Sequence, residues 1–204
     1  MSARPPVRRG RRGGDADTRT EILAVALEHF AAKGYDATSL RGIAREAGVD
    51  PALVHHYFEG KSALFAEVIG MPADPAALVS HVLAGPQEHV GEALARTFFS
   101  VWDPPEGRMR FQGVIRAAVG FEGASRMVQE FVVREIFGRV AGELAARTGR
   151  GADDAALGAG LAAAQVVGVG LLRYVLEVPA LVDVEVDELV ARLAPVLQQH
   201  LVGG

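Results

Sequence analysis

The sequence predicts an all-α protein, and two patterns carry that prediction. Apolar residues recur at three- and four-residue spacings along most of the 204 residues, which is the period of one helix face. Glycine and proline separate these stretches at intervals that suit helices of about 8–20 residues. Residues 183–186 alternate like a strand, but a single short strand has no partner, so we interpret them as the start of the last helix.

The first helix is expected to run from Asp17 or Thr18 to Lys33. Two rows of apolar residues at i, i+4 spacing give it one buried face. The rows are Ile22, Ala26, Phe30 and Leu23, Leu27, Ala31.

A second, shorter helix is predicted to follow. Thr38 and Ser39 are both good N-cap residues, because their hydroxyls accept hydrogen bonds from the free N–H groups of a helix start. An apolar stripe then falls at offsets 0, 3, 4 and 7, and Gly48 stands where this helix must end. The stripe is Leu40, Ile43, Ala44 and Ala47.

A third helix begins almost at once. Asp50 followed by Pro51 pairs a capping carboxylate with a proline at the first helical position. This helix should run to about Tyr57, and Gly60 is a plausible end before Lys61. Two short helices joined by a tight turn form a helix-turn-helix, a shape that places one helix in a DNA major groove. The alternative is a pair of buried helices in an all-α protein.

Residues 18–68 resemble the DNA-binding domain of the TetR (tetracycline-repressor) family of transcription regulators. The residues that carry the resemblance are Ile22-Leu23-Ala24-Val25-Ala26-Leu27, Phe30, Gly34-Tyr35, Thr38, Ile43-Ala44, Ala47-Gly48-Val49, His56-Tyr57-Phe58, Lys61 and Leu64. The resemblance implies major-groove contacts by Asp50, Pro51, Ala52, Leu53 and His55 and phosphate contacts by Ser39, Arg41, His56, Tyr57 and Lys61. His55 and Leu53 stand where the family often has tyrosine and threonine, so no base preference carries over.

Further helices are expected beyond the helix-turn-helix. They are predicted at about 60–69, 74–84, 86–102, 106–119, 123–148, 153–177 and 183–201, separated by glycine and proline breaks. The domain organisation expected from these elements is a disordered arm (1–14), a DNA-binding domain (15–61) and a helical regulatory and dimerisation domain (62–204).

Residues 155–172 contain no charge and are rich in alanine and glycine. A membrane-spanning helix needs about 20 predominantly apolar residues, but alanine and glycine make this segment only weakly hydrophobic. We interpret it as a helix buried on nearly every side, and a membrane-associated protein is the alternative. Small residues spaced by four let two helices approach closely.

Pairing this helix with the last one gives a hairpin with more apolar surface than one core can use. Two copies would form a four-helix bundle, and the TetR resemblance implies dimerisation through the same two helices. The predicted interface residues are Gly160, Ala164, Gly168, Leu171, Val186, Leu189, Leu193, Val196 and Leu197. A two-fold dimer predicts an operator with an inverted repeat.

Composition and charge limit the function classes. The chain is 50% hydrophobic and 23% charged, which suits a soluble protein of one large or two small domains. Without cysteine there are no disulfides and no thiolate chemistry. The polar N-terminus predicts no secretory signal, so we expect a cytoplasmic location.

The net charge of −4 hides an uneven distribution. Residues 1–61 contain ten lysines and arginines against eight acidic residues, while the remainder contains eleven against seventeen. A DNA backbone senses the local charge. Five arginines crowd into the arm: Arg4, Arg8, Arg9, Arg11 and Arg12. The arm either lies along DNA or is a solvated tail.

Catalytic and metal-binding motifs are not evident in the sequence, and we expect no enzyme activity, metal site or cofactor. His81 and His89 could share a helix face, but they lack a further ligand at metal spacing. Aromatic and methionine residues in the second half either form ordinary core or line an apolar pocket between helices. The candidate pocket residues are Phe98, Phe99, Trp102, Met109, Phe111, Gln112, Arg116, Met127, Phe131, Gln165 and Tyr174, with Arg173 as a further polar candidate.

These observations predict a homodimeric, ligand-responsive DNA-binding regulator, and the resemblance favours a repressor. Its expected partners are double-stranded DNA with an inverted-repeat operator, a second copy of the chain and a small hydrophobic effector, with no membrane. The alternative within the same class is a DNA-binding regulator without a small-molecule effector.

Overall fold

The computed structural model describes residues 15–71, 74–120 and 122–203. Within these ranges every regular element is a helix, so the all-α prediction is confirmed. The α-helices of the described ranges are α1 (Asp15–Ala37), α2 (Leu40–Glu46), α3 (Pro51–Tyr57), α4 (Lys61–Val68), α5 (Pro75–Leu83), α6 (Val90–Trp102), α7 (Pro105–Gly120), α8 (Glu122–Phe131), α9 (Gly138–Thr148), α10 (Ala152–Gly170), α11 (Pro179–Val182) and α12 (Val186–Val202). The predicted arm, residues 1–14, lies outside the described residues.

Local capping builds the helix-turn-helix as the sequence predicts. The Ser39 hydroxyl accepts a hydrogen bond from the Gly42 N–H at 3.2 Å, which caps α2. Asp50 caps α3 by accepting from the Ala52 N–H at 2.8 Å. Gly48 in the turn has φ +65°, a left-handed backbone that glycine adopts without steric cost.

The N-terminal core extends beyond the predicted boundary at residue 61. It lies between α1, α2, α3 and α4 and includes Leu64 and Phe65 of the fourth helix and Ile69, which directly follows it. Two residues of α8, Met127 and Phe131, are buried in the same core. The N-terminal core therefore includes side chains of α4, and α8 from the second half of the chain completes its interior.

The C-terminal core forms chiefly between α6 and α12, which pack along each other. Gln198 on α12 links the two helices, because its side chain accepts from the Gly91 N–H at 2.8 Å and donates to the Gln87 carbonyl at 2.8 Å. Gly91 lies so close to α12 that a Cβ there would overlap the Ala194 carbonyl oxygen. A residue without a side chain is needed at this crossing.

Two π-helical segments occur inside stretches that the sequence predicts as continuous helices. Val132–Phe137 joins α8 to α9, and Leu171–Val175 follows α10. In the second segment the Leu176 N–H bonds to the Leu171 carbonyl, five residues earlier, at 3.0 Å. Such wide turns often mark functional positions. The short helix α11 was also not predicted as a separate element.

The prediction that residues 155–172 are buried on nearly every side is wrong for the single chain. One face of α10 packs against α9 and α12, but Leu157, Leu161 and Val167 are 62%, 43% and 42% exposed. Residues 152–175 are long and apolar enough to span a membrane by length and composition alone. A core or interface helix passes the same test, and the packed face is the pattern of a helix in a globular protein.

Candidate nucleic-acid interface

The start and outer surface of α3 carry the side chains for which the family resemblance implies base contacts. Asp50, Pro51, Ala52 and His55 are exposed, and Leu53 is half-buried. Val54, between them, is fully buried in the N-terminal core. Because Val54 anchors the inner side of α3, the opposite side is presented to solvent as a rigid surface of the size that a major groove admits.

The residues predicted to contact phosphates lie at α2, at the end of α3 and at the start of α4. Ser39 and Arg41 on the α2 side and His56 at the end of α3 are exposed, while Tyr57 is half-buried. The His56 and Tyr57 rings lie 5.3 Å apart between centroids. Hydroxyl, guanidinium and imidazole groups of this kind donate hydrogen bonds to phosphate oxygens and set the orientation of a protein on a duplex.

Lys61 opens α4 and is more constrained than its neighbours. Its ammonium group donates to the Asp36 carbonyl at 3.1 Å and lies 4.4 Å from the centroid of the Tyr35 ring. Partial burial lowers the pKa of Lys61, and the Asp36 carboxylate opposes that shift. The side chain is therefore held by the end of α1 while it remains partly open to solvent.

His29 holds α2 against α1, a role that sequence reasoning did not identify. Its ring is buried, and Nε2 lies 2.6 Å from the exposed carboxylate of Glu46 on α2. The Lys33 ammonium lies 3.3 Å from Nδ1 and can only donate, which assigns the Nε2 proton to the Glu46 bond. The hydrogen bond from His29 lowers the pKa of Glu46.

Thr38 also differs from its predicted role as a second possible cap. Its hydroxyl is buried and donates to the carbonyls of Gly34 at 2.8 Å and His29 at 3.2 Å. These bonds tie Thr38 to the part of α1 on either side of the kink at Gly34. Thr38 therefore fixes the approach of α1 to α2, and Ser39 alone caps α2.

The candidate effector-pocket residues divide between two places. Phe98, Phe99, Trp102, Phe111 and Tyr174 share the C-terminal core, with the Phe111 ring centroid 5.3 Å from that of Trp102 and 5.6 Å from that of Tyr174. Gln112 is half-buried beside them and donates to the Tyr174 carbonyl at 2.7 Å.

The other candidates lie elsewhere. Met127 and Phe131 are in the N-terminal core, Met109 is 64% exposed, and Arg116 and Gln165 are exposed. The structure does not bring these residues to the aromatic cluster, because helix rotation and crossing, which spacing alone does not reveal, place them elsewhere. A cleft of about 410 Å³ between α5 and α6 is lined by other side chains, including His81, His89 and Arg96.

Arg173 is a structural residue. It is buried, its Nε donates to Asp103 at 2.9 Å, and its Nη1 donates to the Val184 carbonyl at 2.9 Å and to the Leu181 carbonyl. The Tyr174 hydroxyl donates to the same Asp103 oxygen at 3.2 Å. The guanidinium group thus ties the Leu171–Val175 segment to the chain entering α12.

The predicted dimer residues include exposed, half-buried and buried positions. An ideal Cβ at Gly160 or Gly168 would have open space around it, and Ala164 and Val196 are exposed. Leu171, Val186 and Leu193 are half-buried. Leu189 and Leu197 are buried in the core of their own chain, because they occupy the inner side of α12.

Comparison with known proteins gives two family matches. Residues 22–68 match the family described as bacterial regulatory proteins, tetR family. Residues 88–201, more than half of the chain, match the family described as tetracyclin repressor-like, C-terminal domain. The first range includes the helix-turn-helix and α4, in agreement with the extent of the N-terminal core.

Individual relatives agree with these matches. A crystal structure of a TetR-family regulator from Streptomyces coelicolor superposes with a TM-score of 0.51 at 31% identity, covering 95% of this chain and 99% of that one. The regulator AcrR of Shigella flexneri is 44% identical over 52 residues, 26% of this chain and 24% of that protein. The regulator BetI of Brucella anthropi is 32% identical over 114 residues, 56% and 48% of the two chains. The matched region thus spans less than half of each of these two curated relatives.

Proposed function

Because the chain belongs to the TetR family of DNA-binding transcriptional regulators, we propose that it is a homodimeric repressor which a small apolar effector releases from its operator. The observation that carries this proposal is the capped helix-turn-helix, whose α3 exposes Ala52 and His55 while Val54 anchors it. DNA binding places the site of action in the cytoplasm. The regulator role involves no catalytic step.

The dimer is supported by the exposed stripe on α10. Leu157, Leu161, Ala164 and Gly168 repeat at spacings of four, three and four residues, the seam of two packed helices. Contiguous exposed apolar surface of this kind is rare on soluble monomers. Two copies joined through α10 and the outer side of α12 would place their α3 helices on one face of DNA. Half-sites about 34–36 Å apart would then form an inverted repeat.

The effector proposal is supported by the aromatic cluster of the C-terminal core. Phe98, Trp102, Phe111 and Tyr174 offer flat apolar surfaces, and Gln112 offers a polar group to orient a ligand. An effector that favours a different spacing of the two α3 helices would lower operator affinity by a population shift.

A regulator without a small-molecule effector is the second candidate, and the packing of the same cluster favours it. A Cβ on Gly170 would lie 2.7 Å from the Phe111 ring and 2.8 Å from the Phe98 ring. The rings therefore fill the space beside α10 in this conformation. Under this alternative the aromatic residues are core, and a protein partner or protein abundance sets operator occupancy.

The test begins with selection of bound DNA from a random pool. An inverted repeat should emerge, and a metabolite screen should then find small apolar compounds that release the protein from it. Recovery of no preferred sequence would contradict the regulator assignment. A defined operator from which no compound in the screen releases the protein would favour the second candidate.

Substitutions on α3 and α4 separate base readout from phosphate contact. Lys61→Ala should weaken binding to all sequences and reduce the salt dependence by about one phosphate contact. Changes at Ala52 or His55 should instead alter which bases are selected, because these side chains face the groove. Unchanged operator affinity after replacing both Tyr57 and Lys61 would contradict the assigned binding surface.

A further inference from the structure

The last turn of α1, which contains Tyr35 and Asp36, lies between the rest of the DNA-binding unit and the regulatory half. On one side it holds Lys61, through the Asp36 carbonyl and the Tyr35 ring. On the other side the Tyr35 hydroxyl donates to Glu135 at 2.9 Å, and the Asp36 carboxylate accepts from Arg134 at 2.6 Å. Adjacent residues of one turn therefore contact the predicted phosphate-binding lysine and the π-helical segment Val132–Phe137.

Further contacts join the last turn of α1 to the end of α8 and the π-helical segment. Phe131, which directly precedes the π-helical segment, packs into the N-terminal core with its ring centroid 5.2 Å from that of Tyr35. Glu130 accepts from the Asp36 N–H at 3.3 Å. Its carboxylate also lies against Gly34, where φ is +80° and an added Cβ would be only 2.6 Å from that oxygen. Glycine at position 34 thus permits the kink and leaves room for the Glu130 carboxylate in this position.

The contacts around Lys61 are electrostatic as well as steric. Arg139 donates to the second oxygen of Glu135 at 2.9 Å, which orients that carboxylate. A cleft of about 340 Å³ lies between the start of α4 and the segment Val132–Phe137. Its lining includes Lys61, Arg134, Glu135 and Arg139. A change in the π-helical segment Val132–Phe137 would move Arg134 and Glu135. Because these two residues contact Asp36 and Tyr35, the change would alter the surroundings of Lys61.

We propose that Arg134 and Glu135 are positioning residues for Lys61, holding its ammonium group ready for a DNA phosphate through Asp36 and Tyr35. The inference rests on the proposed DNA-binding function and assigns a route by which the regulatory half adjusts it. Ordering a lysine side chain costs conformational entropy. A lysine already held in place loses less on binding, which strengthens the contact.

A double-mutant cycle on operator affinity tests the inference. Arg134→Ala should weaken binding about three- to tenfold in the natural background and less than about twofold in the Lys61→Ala background. Tyr35→Phe removes the bond to Glu135 without changing charge or the ring beneath Lys61, and it should follow the same pattern. Arg134 is 62% exposed as a side chain, so Arg134→Ala is expected to remain folded, which the melting temperature checks.

Arg96→Ala is the matched control. It removes one arginine from a similarly exposed long-range ion pair, with Asp187, away from Lys61 and the segment Val132–Phe137. Its small effect on affinity should be equal in both backgrounds. Any effect of lost net charge alone is measured by this variant.

The outcomes distinguish this inference from the function itself. Equal effects of Arg134→Ala in both backgrounds would overturn the positioning role while leaving DNA binding intact. A further fall in the salt dependence when Arg134→Ala is added to Lys61→Ala would also overturn it, because Arg134 would then contact phosphate itself. Lys61→Ala without effect on a bound operator would overturn the inference together with the Lys61 assignment, and absence of any operator would reject the proposed function.

Discussion

Asp103 and Arg173 form the most buried ion pair within the described residues. The Arg173 side chain is 6% exposed and the Asp103 side chain 22%. Arg108 adds a second bond to the Asp103 carboxylate at 3.1 Å. Burial raises the pKa of Asp103, but the hydrogen bonds and charges of Arg173 and Arg108 outweigh it, so the net shift is downward. The pair joins the end of α6 to the segment after α10.

Replacing Asp103 with asparagine should destabilise the protein by about 2–4 kcal/mol. Breaking a buried pair leaves the second charge uncompensated, and the partial exposure of Asp103 places the effect toward the lower part of the usual range. Urea unfolding at pH 7 measures the change. Asp187→Asn, whose partner Arg96 is exposed, is the control and should have little effect. Equal stability of the Asp103 variant and the natural protein would contradict the prediction.

The same pair predicts a dependence of stability on pH. A carboxylate with a lowered folded-state pKa contributes stability above its unfolded pKa and loses it as the pH falls through the folded value. The stability difference between the natural protein and Asp103→Asn should therefore be full at neutral pH and shrink below the ordinary carboxyl pKa of about 3.8. A difference that stays constant from neutral pH into strong acid would show that the carboxylate charge is not its source.

The role of a residue can be predicted from the sequence when its hydrogen-bond partner is local, but not when the partner is distant along the chain. Ser39 caps an N–H group three residues away, and Asp50 caps one two residues away. Their roles can therefore be predicted from the sequence. Arg173 instead finds Asp103 seventy residues away, and His29 finds Glu46 seventeen residues away across a helix boundary. Nothing in the local pattern separates these residues from an ordinary polar surface or from a ligand site.

At the scale of elements, breaks are predictable but wide turns and helix rotations are not. Glycine and proline placed the ends of most helices within a few residues, because those residues act on their own backbone. The π-helical segments Val132–Phe137 and Leu171–Val175 carry no such signal. The inward orientation of Leu189 and the burial of Phe131 in the N-terminal core depend on which helix lies opposite, which a single amphipathic pattern leaves open.

The crossing of α6 and α12 gives a prediction at this scale. Gly91→Ala should destabilise the protein by about 1–3 kcal/mol, the usual cost of overpacking, because the new methyl group meets the α12 backbone. Gly113→Ala on α7 is the control, since an ideal Cβ there has open space and alanine favours a helix interior by about 0.5–1 kcal/mol. Urea unfolding of both variants provides the comparison. Equal effects would mean that the two helices can separate without cost.

At the scale of the whole molecule, the two cores are joined rather than independent. Met127 and Phe131 complete the interior of the DNA-binding unit, and Arg134 and Glu135 contact its surface. We therefore expect a displacement of α8 to disturb its contacts with α1 and α4. The sequence predicted two parts, but the long-range contacts that unite them involve residues about one hundred positions apart, beyond what periodicity can indicate.

The last prediction concerns the α10 stripe. Gly168→Leu should leave the folded single chain intact, since a Cβ at this position has open space and leucine favours a helix more than glycine does. In the proposed dimer the same side chain would enter the seam between two α10 helices and force them apart. Sedimentation should therefore show the natural protein as a dimer at micromolar concentration and the variant shifted toward monomer. Loss of the dimer should also lower operator affinity, because each half-site would then bind a separate chain.

Gly142→Leu is the matched control for this experiment. Gly142 lies within α9, also with open space around an added Cβ, but outside the α10 stripe. The same change of side chain there should leave both the sedimentation and the operator affinity unchanged. If the natural protein sediments as a stable, folded monomer at micromolar concentration, the dimer is wrong and the inverted-repeat operator loses its geometric basis. If Gly168→Leu remains a tight dimer, the interface lies on another surface, because a leucine in the proposed seam could not be accommodated without separating the helices.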